Sequence, residues 1–523
     1  MTSSHTPVAL VSRIWDRDTR VWSADSETQA SIANRLGWLD AARWLNDNAE
    51  ALAGWSENIR SRHFNQVVLV GMGGSSLAAE VIAEVLTPAA DGLSIRVLDS
   101  THPDAINSVL AGRAWSRILF IFASKSGSTI EVESLCAWVM DNLEEQGVAE
   151  PGAQCIAITD PGSALADLAV QRRFLDCLEN PADIGGRFSA LSAFGMAPAA
   201  LMGVSIESLS TPVAAMAKAC RIADETQNPG FQLGQWLYTQ WQGGRDCLQL
   251  VIEDRYAALA AWIEQLIAES LGKDGKGLLP LSHSESGSPN ARLARVAIGG
   301  AQSEVFWQSG IPARDDDVPT FAIRVDGVES LGGEFFRWCF ATAVAGALME
   351  INPFDEPDVA ASKAITRRLL DVGSLDEPPQ VIAWADLKAA LEQAPADSYL
   401  AILNYMAPDP VITDLIEDFA GRVRDRFGFP VTVNVGPRYL HSTGQLHKGG
   451  QPKGMFLFLR GEPEFDLDII TEEFGFAGLH QAQAMGDCAE LARRGRTVCW
   501  VELDGNRFSQ IQGLRLILQE CLQ

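Results

Sequence analysis

A chain of 523 residues is too long for one hydrophobic core, so three or so domains are expected. Its 47% hydrophobic and 21% charged residues are an ordinary globular balance. A formal net charge of -26 argues against nucleic acid or an anionic membrane as a partner, so an anionic ligand needs a locally positive pocket or backbone amides.

The nine cysteines stand singly, with no CxxC spacing and no Cys/His zinc pattern. Neither disulfides nor a metal site is expected, and a cytoplasmic location is. The opening "MTSSHTPVALVSRIWDRD" has no basic start before an apolar run, and no apolar run is long enough to span a bilayer.

In chain order, residues 26 to 60 carry an apolar stripe (Ala30, Ile32, Ala33, Leu36, Trp38, then Ala41, Ala42, Leu45) that predicts helix. Strands and helices then alternate. "QVVLVG", "SIRVLDS", "RILFIFAS" and "QCIAITD" are strands; "SSLAAEVIAEVL" and "TIEVESLCAWVMDNL" are helices. The strands are apolar throughout, as in a parallel sheet covered on both faces. This unit is placed at 61–205, after an N-terminal helical segment, 1–60. A second unit, 206–374, has strands "CLQLVIED", "ARVAIGG" and "TFAIRVD" and helices "AALAAWIEQLIAE" and "GGEFFRWCFATAVAGALMEI". After the linker-like "GSLDEPPQVIAWAD" a smaller α/β module, 375–523, has strands "YLAILNYM", "VTVNV", "MFLFLRG" and "TVCWVEL".

Two strand–loop–helix turns carry the chemistry. "VGMGGSS" almost spells a dinucleotide fingerprint, and Asp99, closing the next strand, would suit a ribose. The alternative is a tight turn needing glycine for backbone reasons alone. One strand later, Ser124-Lys125-Ser126-Gly127-Ser128-Thr129 places four hydroxyls and a lysine at a helix start. Ordinary N-capping accounts for one or two of those hydroxyls. Four suit the oxygens of a phosphate monoester better. The pair of loops therefore predicts one small phosphorylated ligand, with Gly74 and Ser75 on the first loop and Ser124, Lys125, Ser126, Ser128 and Thr129 on the second. The first-loop glycines would let the backbone approach that ligand.

"GMGGSSLAAE" followed by "SKSGSTIE" resembles the sugar-isomerase (SIS) domain. "GGRFSALSAFG", "ESLGKDGKG" and "PFDEPDVAASK" follow in the order found in glucose-6-phosphate isomerases, over about residues 65 to 363. The nearest likeness is to the isomerase half of transaldolase/glucose-6-phosphate isomerase fusions, although 523 residues leave no room for the transaldolase barrel. The resemblance implies two SIS-type doubly wound α/β sandwiches plus the C-terminal module, a cytoplasmic aldose–ketose isomerase acting on a sugar phosphate, and no cofactor. Other sugar-phosphate isomerases, or a non-catalytic sugar-phosphate regulator, are the alternatives.

It also assigns roles by motif. Glu269 is the proton-shuttling base, Arg187 the cation facing the enediolate, and Lys363 a group near the ring oxygen. Read alone, each has a plainer alternative as a helix-end acid, an ion-paired loop arginine or a solvated lysine. Glu356 stands where the family typically has glutamine, so its substrate-binding role is open. The family's histidine is expected between Glu269 and Lys363, where only His283 occurs, in "LSHSESGSP". "YLHSTGQLHKGG" carries the matching "LHSTGQ" far downstream. His441 is therefore the ring-opening candidate, with His447 as a further candidate for substrate binding. In the family this histidine comes from a neighbouring subunit, so it is expected either within the chain or across a homodimer.

Overall fold

The computed structural model describes residues 9–281, 291–311, 317–375 and 377–522. Among them three sheets form, every strand pair parallel. The first contains β1 (Gln66–Gly71), β2 (Ser94–Leu98), β3 (Ile118–Ala123), β4 (Cys155–Thr159) and β5 (Asp176–Glu179), in the order β2-β1-β3-β4-β5. The second contains β6 (Cys247–Ile252), β7 (Leu279–Leu281), β8 (Leu293–Gly300) and β9 (Thr320–Val325), ordered β7-β6-β8-β9. The third contains β10 (Tyr399–Tyr405), β11 (Val431–Val435), β12 (Gly454–Gly461) and β13 (Thr497–Leu503), ordered β11-β10-β12-β13. The same winding thus occurs three times, which sequence similarity between the units does not show.

Residues alternate in direction along a strand. Val67 and Leu69 enter one core while Val68 and Val70 enter another, so β1 is buried on both faces, as its unbroken apolar run predicts. The first of these cores also takes Leu248, Val296 and Ile323 from the second sheet, with the helices Ala193–Leu201 and Leu331–Leu348 between the sheets. The C-terminal module is wedged against both units. Ile469, Phe476 and Leu479 join the outer core of the first sheet, while Tyr399, Tyr405 and Phe456 meet Cys247, Leu279 and Leu293 beside the second.

The 26–60 stripe is not one helix. Helices Ser26–Ala33 and Ala41–Arg60 flank a 3₁₀ turn at Gly37–Asp40. There the backbone N–H of Gly37 donates to the carbonyl of Asp183, and Leu36 bridges to Ile184. The strands β5 and β7 are absent from the sequence reading. Both are short edge strands, and "DCLE" has no apolar run. No helix among the described residues is long and apolar enough to cross a membrane.

Candidate active site

The first sheet reverses its winding between β1 and β3, the place where doubly wound sheets leave a crevice beyond their carboxyl ends. Gly71 lies opposite Ala123 in the β1–β3 register, so the two serine-bearing loops leave the sheet side by side. A cleft of about 350 Å³ opens there. Gly74, Ser75, Lys125, Ser126 and Thr129 line one wall, and Arg187, Glu269, Glu356, Lys363 and His441 line the other.

The first-loop glycines line the cleft and also answer to the protein itself. A Cβ on Gly74 would lie 2.2 Å from the Gly186 carbonyl oxygen, and one on Gly73, whose φ is +53°, would lie 2.6 Å from Gln265 Nε2. They let the turn bearing Arg187 and the loop bearing His441 close on β1. Asp99 is no ribose ligand, since Arg438 Nη1 reaches its carboxylate at 3.2 Å.

In the second loop Ser124 is buried. Its hydroxyl lies 2.9 Å from that of Thr129 and accepts from the N–H of Gly127 at 3.1 Å. Ser124 therefore shapes the loop instead of facing the cleft as expected. Ser126 and Ser128 are exposed, with their hydroxyls 3.1 Å apart. Lys125 lines the cleft but its ammonium is held by Asp160 and by the carbonyl of Ala182.

Glu269 occupies the last turn of the helix Leu259–Leu271 and is 8% exposed. Arg187 Nη1 lies 3.0 Å from Glu269 and 3.0 Å from Glu356, so one guanidinium is held between two carboxylates. Its remaining nitrogens donate to Ser270 Oγ and to the carbonyls of Pro353 and Asp355. This buried arginine ties the helix that carries Glu269 to the turn that carries Glu356. Lys273 ties the same two segments by donating to the carbonyl of Asn352 at 2.8 Å and pairing with Asp355 at 2.7 Å. Burial pushes the Glu269 carboxyl above its ordinary range; Arg187 draws it back and Glu356 adds to the rise. Burial raises Glu356 as well, but Arg187, with Lys273 and Lys363, brings its carboxyl below the ordinary value. Lys363 stands exposed on the helix Val359–Val372, without an ion pair among the described residues.

His441 ends a short 3₁₀ turn, Arg438–His441, that follows β11 of the C-terminal module. The module delivers it into the cleft of its own chain. Its Nε2 lies 2.9 Å from Glu131, a residue 3% exposed at the start of the helix Ile130–Glu145. Gln483 donates to the same carboxylate oxygen at 2.7 Å. Burial pushes Glu131 up, but His441, a backbone N–H and Lys363 together hold its carboxyl below the ordinary range. Gln265 joins the two halves of the site, its amide donating to Glu269 at 3.0 Å and to the carbonyl of His441 at 2.8 Å. Three residues before His441, Arg438 is clamped by Glu80 and Asp99 of the first unit. Glu264 also feels that guanidinium, although burial pushes its carboxyl up to about 7.

Two histidine expectations fall elsewhere. His447 is fully buried beside Tyr399 and Phe456, and burial pushes it down to about 3, so it does not reach the cleft. His283 lies outside the described residues. Sequence reasoning missed Glu131, Gln265, Gln483 and Arg438. Only Glu131 had a signal, as the acidic residue closing "SKSGSTIE".

Serine loops at the switch point, with carboxylates, an arginine and a histidine opposite, define the class of sugar-phosphate isomerase folds. The family model for phosphoglucose isomerase matches residues 13–280, just over half of the chain, and the chain belongs to that family. A glucose-6-phosphate isomerase from Synechococcus sp. (strain JA-3-3Ab) is 35% identical over 215 residues, 40% of each chain. One from Rubrobacter xylanophilus is 28% identical over 381 residues, 61% of this chain and 86% of the relative. The matched stretch thus spans less than half the length of the Synechococcus relative and most of the Rubrobacter one. The crystal structure of a glucose-6-phosphate isomerase from Chlamydia trachomatis shares the fold with a TM-score of 0.55 at 18% identity, covering 72% of this chain and 80% of that one. A hypothetical protein from Thermus thermophilus does so with a TM-score of 0.58 at 20% identity, covering 69% and 96%.

Proposed function

We propose that this chain interconverts D-glucose 6-phosphate and D-fructose 6-phosphate in the cytoplasm, by proton transfer through a cis-enediol. The observation that carries the reading is the convergence of Glu269, Arg187, Lys363 and His441 on one cleft whose opposite wall is the serine loops. Membership of the phosphoglucose isomerase family supports it.

The sugar's phosphate sits against the hydroxyls of Ser75, Ser126 and Thr129 and the loop amides, with Ser128 on the flank and Lys125 adding charge. His441 and Lys363 open the ring. One receives the proton of the C1 hydroxyl while the other protonates the ring oxygen. An ionised Glu131 can only accept, so the Nε2 of His441 donates to it and Nδ1 is left for the substrate. Glu269 then takes the C2 proton and returns it to C1. A base raised toward neutrality by burial suits that exchange. Arg187 faces the negative charge that develops on the enediolate oxygens.

Coupled assays on glucose 6-phosphate and mannose 6-phosphate test the reading and its scope, since the two sugars share an enediol. Fructose 6-phosphate from the first supports it, and sugar-phosphate binding without turnover overturns it in favour of a regulator.

Glu356, the departure from the family's glutamine, yields a further prediction. Its carboxylate raises Glu269. Glu356→Gln removes that charge, so the base ionises at lower pH and the acid limb of the kcat/KM profile moves to lower pH. A pH–rate profile with an unmoved acid limb contradicts this coupling.

A further inference from the structure

Asp487 lies on the helix Phe476–Arg493 of the C-terminal module, fully buried and not itself a wall of the cleft. Three donors share its carboxylate. Lys448 Nζ reaches Oδ1 at 2.5 Å, Ser362 Oγ donates to the same oxygen at 3.1 Å, and the Tyr439 hydroxyl donates to Oδ2 at 2.6 Å. Ser362 immediately precedes Lys363, and Tyr439 stands two residues before His441. We propose that Asp487 is a positioning residue for ring opening: one buried carboxylate fixes the segment that carries Lys363 to the segment that carries His441. That role rests on the reading of those two groups as the ring-opening pair.

Neither group is placed by its own contacts alone. Lys363 is exposed and makes no ion pair among the described residues, so its helix, Val359–Val372, sets its position. The inward face of that helix meets the helix of Asp487. Besides the Ser362 bond, Thr366 Oγ1 donates to the carbonyl of Ala482 at 3.4 Å. A Cβ on Gly486 would lie 2.5 Å from Thr366 Oγ1, so the two helices approach closely beside Asp487. His441 is held at its ring by Glu131 and at its carbonyl by Gln265, both outside its own module. Tyr439 ties the same turn the other way, onto the module's helix. One turn before Asp487, Gln483 donates to Glu131, the partner of the His441 ring. A single helix face thus sets the turn of His441, the partner of its imidazole and the helix of Lys363.

Stability alone is a weak reason for this charge. Lys448 and Asp487 are both fully buried, and a well-packed apolar pair of similar volume often serves a core as well or better. An ionised carboxylate supplies acceptor sites on both oxygens, which no apolar residue does. Hydrogen bonds to an ionised acceptor are also the short, strong ones. Such ties matter where protons move, because misplacing a catalytic group by ~1 Å can cost roughly 100-fold in rate.

Opening and reclosing the ring exchanges the anomers of glucose 6-phosphate, so ring opening can be read apart from the C2 proton transfer. The test uses the full chain carrying Glu269→Gln and follows exchange between the α and β anomers by NMR. Asp487→Ala would orphan the buried Lys448 ammonium and endanger the fold. Tyr439→Phe and Ser362→Ala, added singly, each remove one donor and leave that ion pair intact. We expect each to slow catalysed anomer exchange about tenfold or more. Affinity for glucose 6-phosphate, read by calorimetry, and the melting temperature should stay those of the Glu269→Gln chain. Ser362→Thr, which keeps the hydroxyl, should retain most of the exchange rate. Undiminished exchange in either Tyr439→Phe or Ser362→Ala overturns the assignment. A loss of exchange matched by an equal loss of affinity, or by a lowered melting temperature, overturns it too, since Asp487 would then be a structural tie only. If the Glu269→Gln chain binds glucose 6-phosphate but does not speed exchange at all, the ring-opening roles of His441 and Lys363 have failed, and the role of Asp487 falls with them.

Discussion

Glu269→Gln lowers kcat for glucose 6-phosphate by roughly 10³- to 10⁴-fold, the upper range for loss of a positioned base, and leaves sugar-phosphate binding and the fold in place. The amide keeps the shape of the carboxylate but cannot hold a proton between C2 and C1. Arg187 is not orphaned by the change, because Glu356 still pairs with it and Ser270 and two backbone carbonyls still accept from it. The cost of an unpaired buried charge is thereby avoided. A thermal melt close to that of the parent, beside the lost turnover, distinguishes a missing base from a damaged site. Turnover within tenfold of the parent would remove Glu269 from the chemistry.

His441→Ala gives the second largest effect, and a selective one. Turnover of ring-closed glucose 6-phosphate falls by about 10²- to 10³-fold, as expected for a lost acid/base group. A sugar phosphate too short to close a six-membered ring keeps most of its rate. The backbone at 441 still accepts from Gln265, and Glu131 keeps Gln483, so the surrounding contacts survive truncation. Equal losses on both substrates would mean that His441 only supports the cleft. An undiminished rate on the ring-closed sugar would remove it from the mechanism.

The sheets and the loops were legible in the sequence further than the contacts that join the site. Strands such as "QVVLVG" and "RILFIFAS" are continuous apolar runs because both their faces are covered, and that pattern is readable locally. The serine loops are equally local, since each follows its own strand and precedes its own helix. Motif order carried Glu269, Arg187 and Lys363, and a displaced "LHSTGQ" carried His441. What joins them was not readable. Gln265 meets the His441 carbonyl across 176 positions, and Arg438 meets Glu80 across 358. Such partners are ordinary polar residues in ordinary helices and turns until the chain folds. His447 was misread for a related reason. It shares a motif with His441, but a short helix, Gly444–Gly449, carries it into the interior. The glycines of the first loop signalled a close approach in the sequence, but not the protein segments that share it. They admit the Gly186 turn and the His441 loop, which belong to the same protein.

The central claim is that one chain assembles a complete isomerase cleft, with the C-terminal module supplying His441 to the first unit of the same polypeptide. The most direct test is the rate of fructose 6-phosphate formation from glucose 6-phosphate, measured across a thousandfold dilution of the purified protein with size monitored in parallel. The account predicts product at every concentration and a rate per chain that stays constant even where the protein is monomeric. No product, or a rate per chain that falls as subunits separate, would contradict it.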